Sequence, residues 1–269
     1  MITSSSNSQI KNIIQLQKKS RARTEQGAFV TEGTKMFEES KDGGYLIKAY
    51  VSESFYNEQL TETPDYFKGF PYEVVADGVL KEASDTLTPQ GVMAIVKKPV
   101  YDLDKIITGQ QVNLLLLEDI RDPGNLGTII RTAEGAGITG IILSKTSVDM
   151  YNPKVIRSTM GAIYRMPFIY AEDFKNTLIQ IKRNDISIYA AHLNTDFAYD
   201  DVNYPEKCAI LIGNEANGLS DEIAGMSDQY IKIPMEGSVE SLNAAIAAAI
   251  LMYEVYRQRR KNKVIKTKK

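Results

Sequence analysis

Apolar and polar positions along the chain change their pattern near residue 97, and the change predicts two α/β domains. After residue 110 the predicted strands are almost continuously apolar, and amphipathic helical segments alternate with them. This alternation indicates a parallel sheet that is covered on both faces. The predicted strands are residues 112–117, 140–143, 186–191, 209–212 and 230–233. The predicted helices are residues 127–136, 174–183 and 242–257.

The first 97 residues show a mixed pattern that predicts a smaller α/β domain. Charged residues and prolines follow an apolar run at residue 97, and such residues are typical of loops. We therefore predict one domain at 1–97, a linker at 98–110 and a second domain at 111–269. The predicted strands of the first domain are residues 28–31, 47–52, 72–76 and 92–96. Its predicted helices are residues 7–19, 34–40 and 78–84.

The last predicted helix contains a stretch, residues 244–251, that is built almost wholly from alanine and isoleucine. A helix without a polar face is usually buried. We therefore expect this stretch to be buried and closely packed.

Composition restricts the possible chemistry. The 269 residues are 43% apolar and 25% charged, as in a globular protein with a substantial core. One cysteine, Cys208, excludes an intrachain disulfide, and one histidine, His192, argues against a histidine-rich zinc site. The N-terminus lacks a secretory apolar segment, and no apolar run is long enough to span a bilayer. These features predict a cytoplasmic protein with no membrane partner and no metal.

The charge distribution is uneven, although the net charge is only −2. Residues 1–24 contain five basic side chains and no acid, and residues 257–269 contain eight basic side chains and no acid. Clustered lysine and arginine attract the phosphates of nucleic acids, but terminal charge runs can equally be solvated tails. Charge alone leaves both interpretations open.

A glycine motif at residues 135–140 matches the G-x-G-x-x-G pattern of dinucleotide-binding proteins. That pattern requires a preceding strand and a following helix, so that the helix N-terminus meets the pyrophosphate. Here a predicted helix precedes the glycines and a predicted strand follows them. The glycines are therefore better explained as a helix end and a turn, which argues against a nicotinamide-dependent oxidoreductase.

Three loops rich in glycine, asparagine and serine occur at strand ends in the second half, at residues 118–127, 213–219 and 234–243. In open parallel sheets, ligands bind beyond the carboxyl ends of the strands. Such loops expose main-chain donors and acceptors. They predict a ligand that is held largely by backbone hydrogen bonds.

The three loops carry motifs that can be compared with a known family. The motifs are N-x-G-x-x-x-R at 125–131, G-N-E-x-x-G at 213–218 and I-P-M-x-G-x-x-x-S-L-N at 233–243. In this order and spacing they resemble the SpoU/TrmH family of SPOUT RNA methyltransferases. One departure is Ala216, where the family often has a second glycine. We expect a methyl group to be tolerated there unless φ is positive.

The resemblance implies a fold, a reaction and partners. It implies a parallel-sheet SPOUT domain with a deep trefoil knot, a homodimer with active sites at the subunit interface, and methylation of a ribose 2′-hydroxyl by S-adenosylmethionine. Residues 2–7, 29–33 and 88–91 resemble the N-terminal substrate-binding domain of many members, which is similar to kink-turn-binding ribosomal proteins. That domain favours ribosomal RNA as substrate. The alternatives are a transfer RNA substrate and a non-catalytic RNA- or ribosome-binding protein on the same fold.

The resemblance also implies roles for individual residues. Arg131 is the implied catalytic arginine, either activating the hydroxyl with an RNA phosphate or clamping the phosphate and stabilising negative charge on oxygen. A free arginine is a poor base, which favours the second role. The other implied catalytic residues are Asn125, Glu215, Ser241 and Asn243. The implied cofactor-binding residues are Leu193, Gly213, Ile233 and Leu242.

Each of these residues also has a plain structural interpretation. Arg131 could form a helix-surface ion pair, Asn125 could be a turn residue, and Glu215 could lie near a helix N-terminus. Ser241 could simply cap the last helix. We expect His192 to be structural and Cys208 to be inert in a buried strand.

Overall fold

The computed structural model describes residues 1–267, with side chains as far as Lys261, and it divides into two compact units. Unit 1 comprises Met1–Val100 and Asp149–Tyr164, and unit 2 comprises Tyr101–Val148 and Arg165–Lys269. Among the described helices, none has the length and apolar character that crossing a membrane requires. Four basic residues of the C-terminal run have side chains outside the described part: Lys263, Lys266, Lys268 and Lys269.

Unit 1 is built on a four-stranded sheet in the order β1-β4-β2-β3, in which β2 and β3 are parallel and the other pairs are antiparallel. The strands are β1 (Ala28–Glu32), β2 (Leu46–Ser52), β3 (Tyr72–Val75) and β4 (Val92–Lys97). The helices are α1 (Ser8–Lys18), α2 (Ser20–Gln26), α3 (Thr34–Asp42), α4 (Glu53–Glu62), α5 (Asp77–Ala83) and α8 (Pro153–Thr159). A short 3-10 helix covers Ala162–Tyr164.

Helix α1 illustrates how the sequence determines these elements. Ile10, Ile13 and Leu16 follow helical spacing and are fully buried against the sheet. Asn7 caps the helix, because its Oδ1 accepts a hydrogen bond of 2.8 Å from the backbone N of Gln9. All four strands and the three helices that the sequence predicts here are confirmed, whereas α2 and α4 were not predicted.

The segment Asp149–Tyr164 lies in unit 1, although the sequence analysis placed it in the domain at 111–269. Its aromatic side chains complete the core of unit 1. The rings of Phe29 and Tyr151 lie 4.7 Å apart, and the Tyr164 hydroxyl donates to the carbonyl oxygen of Met36 at 3.1 Å. Packing between distant segments cannot be derived from local periodicity, so the sequence pattern did not reveal it.

Arg23 is a buried cation of unit 1, with a side chain that is only 5% exposed. Its Nη2 and Nε atoms lie 2.5 and 3.1 Å from Oδ2 of Asp149, and its Nη1 donates to the carbonyl oxygen of Leu16 at 2.7 Å. Burial acts to raise the pKa of Asp149, but hydrogen bonds from Arg23 and the Tyr151 backbone outweigh burial and lower it. This pair therefore joins α2 to the segment that contains α8.

We expect Arg23→Met to destabilise the protein by about 3 kcal/mol, because it leaves the Asp149 carboxylate half-buried without its partner. The double variant Arg23→Met/Asp149→Leu should regain most of this loss. Because the Asp149 pKa is lowered, the pair stabilises the fold above the ordinary carboxyl range, and the cost should shrink as the pH falls below about 4. Urea denaturation at several pH values measures these differences, and equal stability of Arg23→Met and wild type would contradict the assignment.

Unit 2 contains a six-stranded parallel sheet in the order β10-β8-β9-β5-β6-β7. The strands are β5 (Val112–Leu117), β6 (Gly140–Ser144), β7 (Phe168–Ala171), β8 (Ser187–Ala191), β9 (Lys207–Ile212) and β10 (Gln229–Ile231). The helices are α6 (Leu103–Ile107), α7 (Pro123–Gly135), α9 (Phe174–Arg183), α10 (Asp221–Ala224) and α11 (Ala244–Thr267). The predicted α/β class with a parallel sheet is therefore confirmed.

The strand order positions the loops that carry the motifs. Strands β10, β8, β9 and β5 are consecutive neighbours, so their carboxyl ends lie side by side along one edge. The five strands predicted in this half are confirmed, but β7 was not predicted. The predicted linker is also not wholly a loop, because it contains α6, whose Ile106 and Ile107 are buried in the core of unit 2.

Two helices of unit 2 differ from their predictions. Helix α7 begins at Pro123 rather than residue 127, because Asp122 caps it by accepting a 2.7 Å hydrogen bond from the backbone N of Asn125. Asn125 therefore lies in the first turn of a helix and not in a loop. Residues 244–251 are only partly buried within one chain, since Ile246 is 50% exposed while Ala248 is fully buried.

Candidate functional site

A cavity of about 430 Å³ lies at the carboxyl ends of β8, β9 and β10. Its walls come from the loop after β8, the loop after β9, the segment between β10 and α11, and the start of α11. Such a volume lies within the range of small-molecule sites. We call it the central pocket. Its position agrees with the rule that ligands bind beyond the carboxyl ends of parallel strands.

All four residues that the sequence analysis assigned to cofactor binding line the central pocket: Leu193, Gly213, Ile233 and Leu242. Two of the residues assigned to catalysis, Glu215 and Ser241, line it as well. The structure therefore brings together side chains from positions 193–242 that are far apart along the chain.

The second motif forms a tight backbone loop at the pocket wall. The backbone N and O atoms of Asn214 and Gly218 exchange two hydrogen bonds of 2.9 Å, and Asn214 Oδ1 accepts from the backbone N of Ala216 at 2.8 Å. A Cβ atom on Gly213 would lie 2.2 Å from the carbonyl carbon of Gly218, so only glycine fits there. Ala216 has no positive φ, so the departure from the family pattern carries no strain.

Asn125, Glu215 and Asn243 form a chain of hydrogen bonds that joins the three motif loops. Asn125 Nδ2 donates to Glu215 Oε1 at 2.9 Å, and Asn243 Nδ2 donates to Asn125 Oδ1 at 2.9 Å. Because each residue comes from a different motif, these two hydrogen bonds fix the three motif segments relative to one another. We call it the amide–carboxylate chain.

Asn243 rather than Ser241 caps helix α11. Its Oδ1 accepts hydrogen bonds from the backbone N of Ala245 at 2.9 Å and of Ile246 at 3.3 Å. The capping alternative for Ser241 is therefore wrong, and the Ser241 side chain is exposed at the pocket. Asn243 both starts the helix and holds Asn125.

Arg131 lies on α7 outside the wall of the central pocket. It is six residues beyond Asn125, which corresponds to about 9 Å along the helix axis. Its side chain is exposed and has no hydrogen bond or ion pair among the described residues. Arg131 therefore forms no ion pair with a described residue, and its guanidinium is accessible from the solvent.

Sequence reasoning missed several residues of the pocket wall. His192, Asn194 and Lys232 all line it; His192 and Lys232 directly follow β8 and β10, and Asn194 lies three residues after β8. Their position one to three residues after a strand end was an available signal. Cys208, by contrast, is fully buried, and burial raises the pKa of its thiol to about 11, so it stays protonated.

A second, larger cavity of about 690 Å³ lies at the ends of β5, β6 and β7. Its lining is acidic, because five carboxylates face only two cations, Arg121, which contacts Asp119, and Lys175, which contacts Glu222. It contains none of the residues assigned to the cofactor. We therefore place the functional site in the smaller central pocket. No group of three or more metal-ligating side chains occurs among the described residues.

Comparison with known proteins agrees with this geometry. The model of the SpoU rRNA Methylase family matches residues 113–253, and the model of the MRM3-like substrate binding domain matches residues 7–94. The 23S rRNA (guanosine(2553)-2′-O)-methyltransferase RlmP of Bacillus subtilis (strain 168) is 29% identical over 254 residues. That match covers 94% of this chain and 98% of RlmP.

Two solved structures resemble the whole chain. The SpoU methyltransferase AviRb from Streptomyces viridochromogenes, in complex with the cofactor AdoMet, has a TM-score of 0.84 at 27% identity and covers 94% of this chain and 98% of its own. The AdoMet-bound rRNA methyltransferase from Sinorhizobium meliloti has a TM-score of 0.83 at 30% identity and covers 95% and 97%.

The parallel sheet and the pocket at its carboxyl edge define a methyltransferase of the SPOUT class. The family model covers more than half of the chain, and the matched residues 113–253 contain all three motifs. The chain belongs to the SpoU rRNA methylase family.

Proposed function

We propose that this protein transfers a methyl group from S-adenosylmethionine to a ribose 2′-hydroxyl in ribosomal RNA. The observation that carries the proposal is a single pocket that all four predicted donor-binding residues line, with walls from the second and third motif loops. The first motif is joined to this wall by the hydrogen bond from Asn125 to Glu215. The similarity to RlmP, which is named as a 23S rRNA 2′-O-methyltransferase, supports the reaction and the substrate class. Ribosomal RNA as the substrate places this activity in the cytoplasm.

The central pocket fits the methyl donor. Leu193, Ile233 and Leu242 offer apolar walls, while the backbone at Gly213 allows close approach because no Cβ intervenes. When bound, the donor supplies a methyl group on a cationic sulfonium. Glu215 and Glu240 at the pocket provide carboxylates that favour a cation.

The amide–carboxylate chain defined above is the positioning element of the site. Methyl transfer requires the hydroxyl oxygen, the methyl carbon and the sulfur to be in line, and correct positioning supplies a large part of the rate. The amide–carboxylate chain joins the start of α7 at Asn125 to the loop at Glu215 and to the start of α11 at Asn243, and so holds the donor and substrate sides of the pocket in place. Ser241 offers a hydroxyl at the pocket for substrate or donor.

Arg131 serves as the phosphate clamp. A guanidinium binds phosphate in a bidentate manner and stabilises negative charge that develops on the sugar oxygen as the proton leaves. Its exposure and its lack of a partner among the described residues support this role. A group that remains protonated suits electrostatic stabilisation better than proton abstraction.

A second copy of the chain completes the site. Helix α11 leaves Ile246, Tyr253 and Tyr256 exposed by 50%, 46% and 39%, and their spacing places them on one face. Such an apolar face on a helix that starts at the pocket suits a symmetric dimer. Helix α11 packs beside α7, which carries Arg131, so a dimer there can bring one copy's Arg131 to the other's pocket. The trefoil knot that the family resemblance implies also belongs to this proposal.

Unit 1 holds the RNA. Exposed lysines on α1 and just after it, at positions 11, 18 and 19, form a basic stripe without a facing acid in residues 1–24. Phosphate contacts of this kind provide affinity that falls with salt. The match of residues 7–94 to a substrate-binding domain supports this role for the predicted domain 1–97, which a linker at 98–110 joins to the catalytic domain 111–269.

Purified protein should transfer labelled methyl from S-adenosylmethionine to ribosomal RNA, and the label should be found on the ribose. Mapping 2′-O-methylation over all RNAs, in cells with and without the gene, should reveal the site that depends on the protein. Transfer RNA is the control substrate, and modification of tRNA alone would move the function to the tRNA alternative. Donor binding without any transfer would favour a non-catalytic RNA-binding protein.

A further inference from the structure

His192 is the chain's only histidine, and it lies at the wall of the central pocket directly after β8. Its ring stacks against Tyr230, with the ring centroids 4.6 Å apart and an interplanar angle of 26°. Its backbone N donates to the carbonyl oxygen of Ile231 at 3.0 Å. The imidazole is therefore held in one orientation by the neighbouring strand β10.

The imidazole closes a turn that presents Leu193 to the pocket. His192 Nδ1 accepts a hydrogen bond of 3.1 Å from the backbone N of Asn194, and the backbone N of Thr195 donates to the carbonyl oxygen of Leu193 at 3.0 Å. Leu193 lies in the chain between His192 and Asn194, which the first of these hydrogen bonds joins, and it is 62% exposed.

This hydrogen bond requires one protonation state. Nδ1 can accept a hydrogen bond only when it carries no proton itself, so the neutral ring has its proton on Nε2. Protonation would place a second N–H at Nδ1, facing the N–H of Asn194. The two donors would repel each other, and the turn would lose the bond that closes it.

Protonation would also add a positive charge to a wall that receives a sulfonium cation. The other charged groups lining the pocket are Lys232, Glu215 and Glu240, and Lys232 is paired with Asp196 at 3.9 Å. Tyr230 is the titratable group that faces the ring directly. A cationic His192 would therefore add its positive charge to that of Lys232 and offset part of the negative charge of Glu215 and Glu240.

We propose that His192 is a pH-sensitive positioning residue for the methyl donor. The neutral imidazole closes the turn at residues 192–195 and holds Leu193 against the donor, and protonation weakens donor binding. The inference rests on the proposed function, because it takes the central pocket as the donor site.

The expected pH dependence has a definite sign. Histidine is the side chain that ordinarily changes charge between pH 5 and 8. Donor affinity should be highest at the alkaline end of this range, where the ring is neutral. It should be at least about threefold weaker at pH 5.5 than at pH 7.5.

Calorimetric titration of the full chain with S-adenosylmethionine, from pH 5.5 to 8, tests the proposal. In His192→Asn the side-chain oxygen can accept the same backbone hydrogen bond, as in an Asx turn, and does not titrate. This variant should bind the donor within about twofold of wild type at pH 7.5 and lose the pH dependence. His192→Leu cannot accept the bond and should bind weakly at every pH.

S-adenosylhomocysteine, the demethylated product that lacks the sulfonium charge, separates the two effects of protonation. Opening of the turn should weaken both ligands at low pH, whereas charge repulsion should weaken only the cationic donor. An equal fall in donor affinity for wild type and His192→Asn would overturn the proposal. Absence of donor binding by wild type at every pH would instead overturn the proposed function.

Nuclear magnetic resonance of the wild-type imidazole provides a test that needs no variant. Because the chain has one histidine, its ring nitrogen signals require no assignment among several residues. At pH 8 they should report the Nε2–H tautomer, and donor binding should shift the titration of the ring to lower pH. The Nδ1–H tautomer, or a titration that the donor leaves unchanged, would contradict the proposal.

Discussion

Replacing Arg131 with alanine is expected to lower methyl transfer by about 10²–10³-fold while leaving donor affinity within about twofold of wild type. Arg131 lies outside the central pocket of its own chain, and in the proposed role its guanidinium contacts the RNA phosphate rather than the donor. Its guanidinium acts on the phosphate and the developing oxyanion, and these charges exist mainly in the transition state. Single-turnover transfer and calorimetric donor binding measure the two quantities separately.

The matched control for Arg131 is Arg183, an exposed arginine at the end of α9 in the same unit. Arg183→Ala should leave transfer unchanged. Arg131→Lys keeps the charge but loses the bidentate fork, so its activity should lie between those of wild type and Arg131→Ala. If Arg131→Ala were as active as Arg183→Ala, Arg131 would have no part in the reaction.

Replacing Gly213 with alanine is expected to weaken donor binding at least tenfold and to destabilise the fold by about 1–3 kcal/mol. The new Cβ would lie 2.2 Å from the carbonyl carbon of Gly218 and 2.3 Å from the backbone N of Leu219. Neither atom belongs to a flexible side chain, so the loop that follows β9 must move. That movement would displace the pocket wall.

Gly109→Ala is the matched control for Gly213→Ala, because it also changes a loop glycine of unit 2. A Cβ there would meet its nearest atoms at an ordinary 3.6 Å, and the residue has no positive φ. Thermal denaturation and donor titration should therefore match wild type for Gly109→Ala. Retention of full donor affinity by Gly213→Ala would show that the loop after β9 does not hold the donor.

The sequence predicts some helices and strands more accurately than others. The predicted bounds 112–117 and 174–183 are those of β5 and α9, because a continuous apolar run and a clear 3.6-residue period are strong local signals. Strand β7 is only four residues long, and half of it is partly exposed. Its signal was too short to separate it from a loop. The start of α7 could have been found, since Asp122 before Pro123 is a typical helix beginning.

At the candidate site, the sequence predicted the loops but not the contacts between them. Residue type at the strand ends predicted the three loops, whereas the roles of individual residues came from the resemblance to the family. The hydrogen bonds that join Asn125, Glu215 and Asn243 could not be predicted, because they depend on the order of strands in the sheet. The same is true of His192, whose role depends on stacking against a residue of β10.

The sequence by itself determined the two α/β patterns, the strands of the parallel sheet and the three loops that carry the chemistry, because these follow from local period and residue type. Only the tertiary structure decided that Asp149–Tyr164 packs in unit 1, that Asn243 rather than Ser241 caps α11, and that Arg131 lies outside the pocket of its own chain. The physical reason is that local preferences act between near neighbours in the chain. Strand order, long-range packing and the meeting of loops arise when distant segments exclude water together.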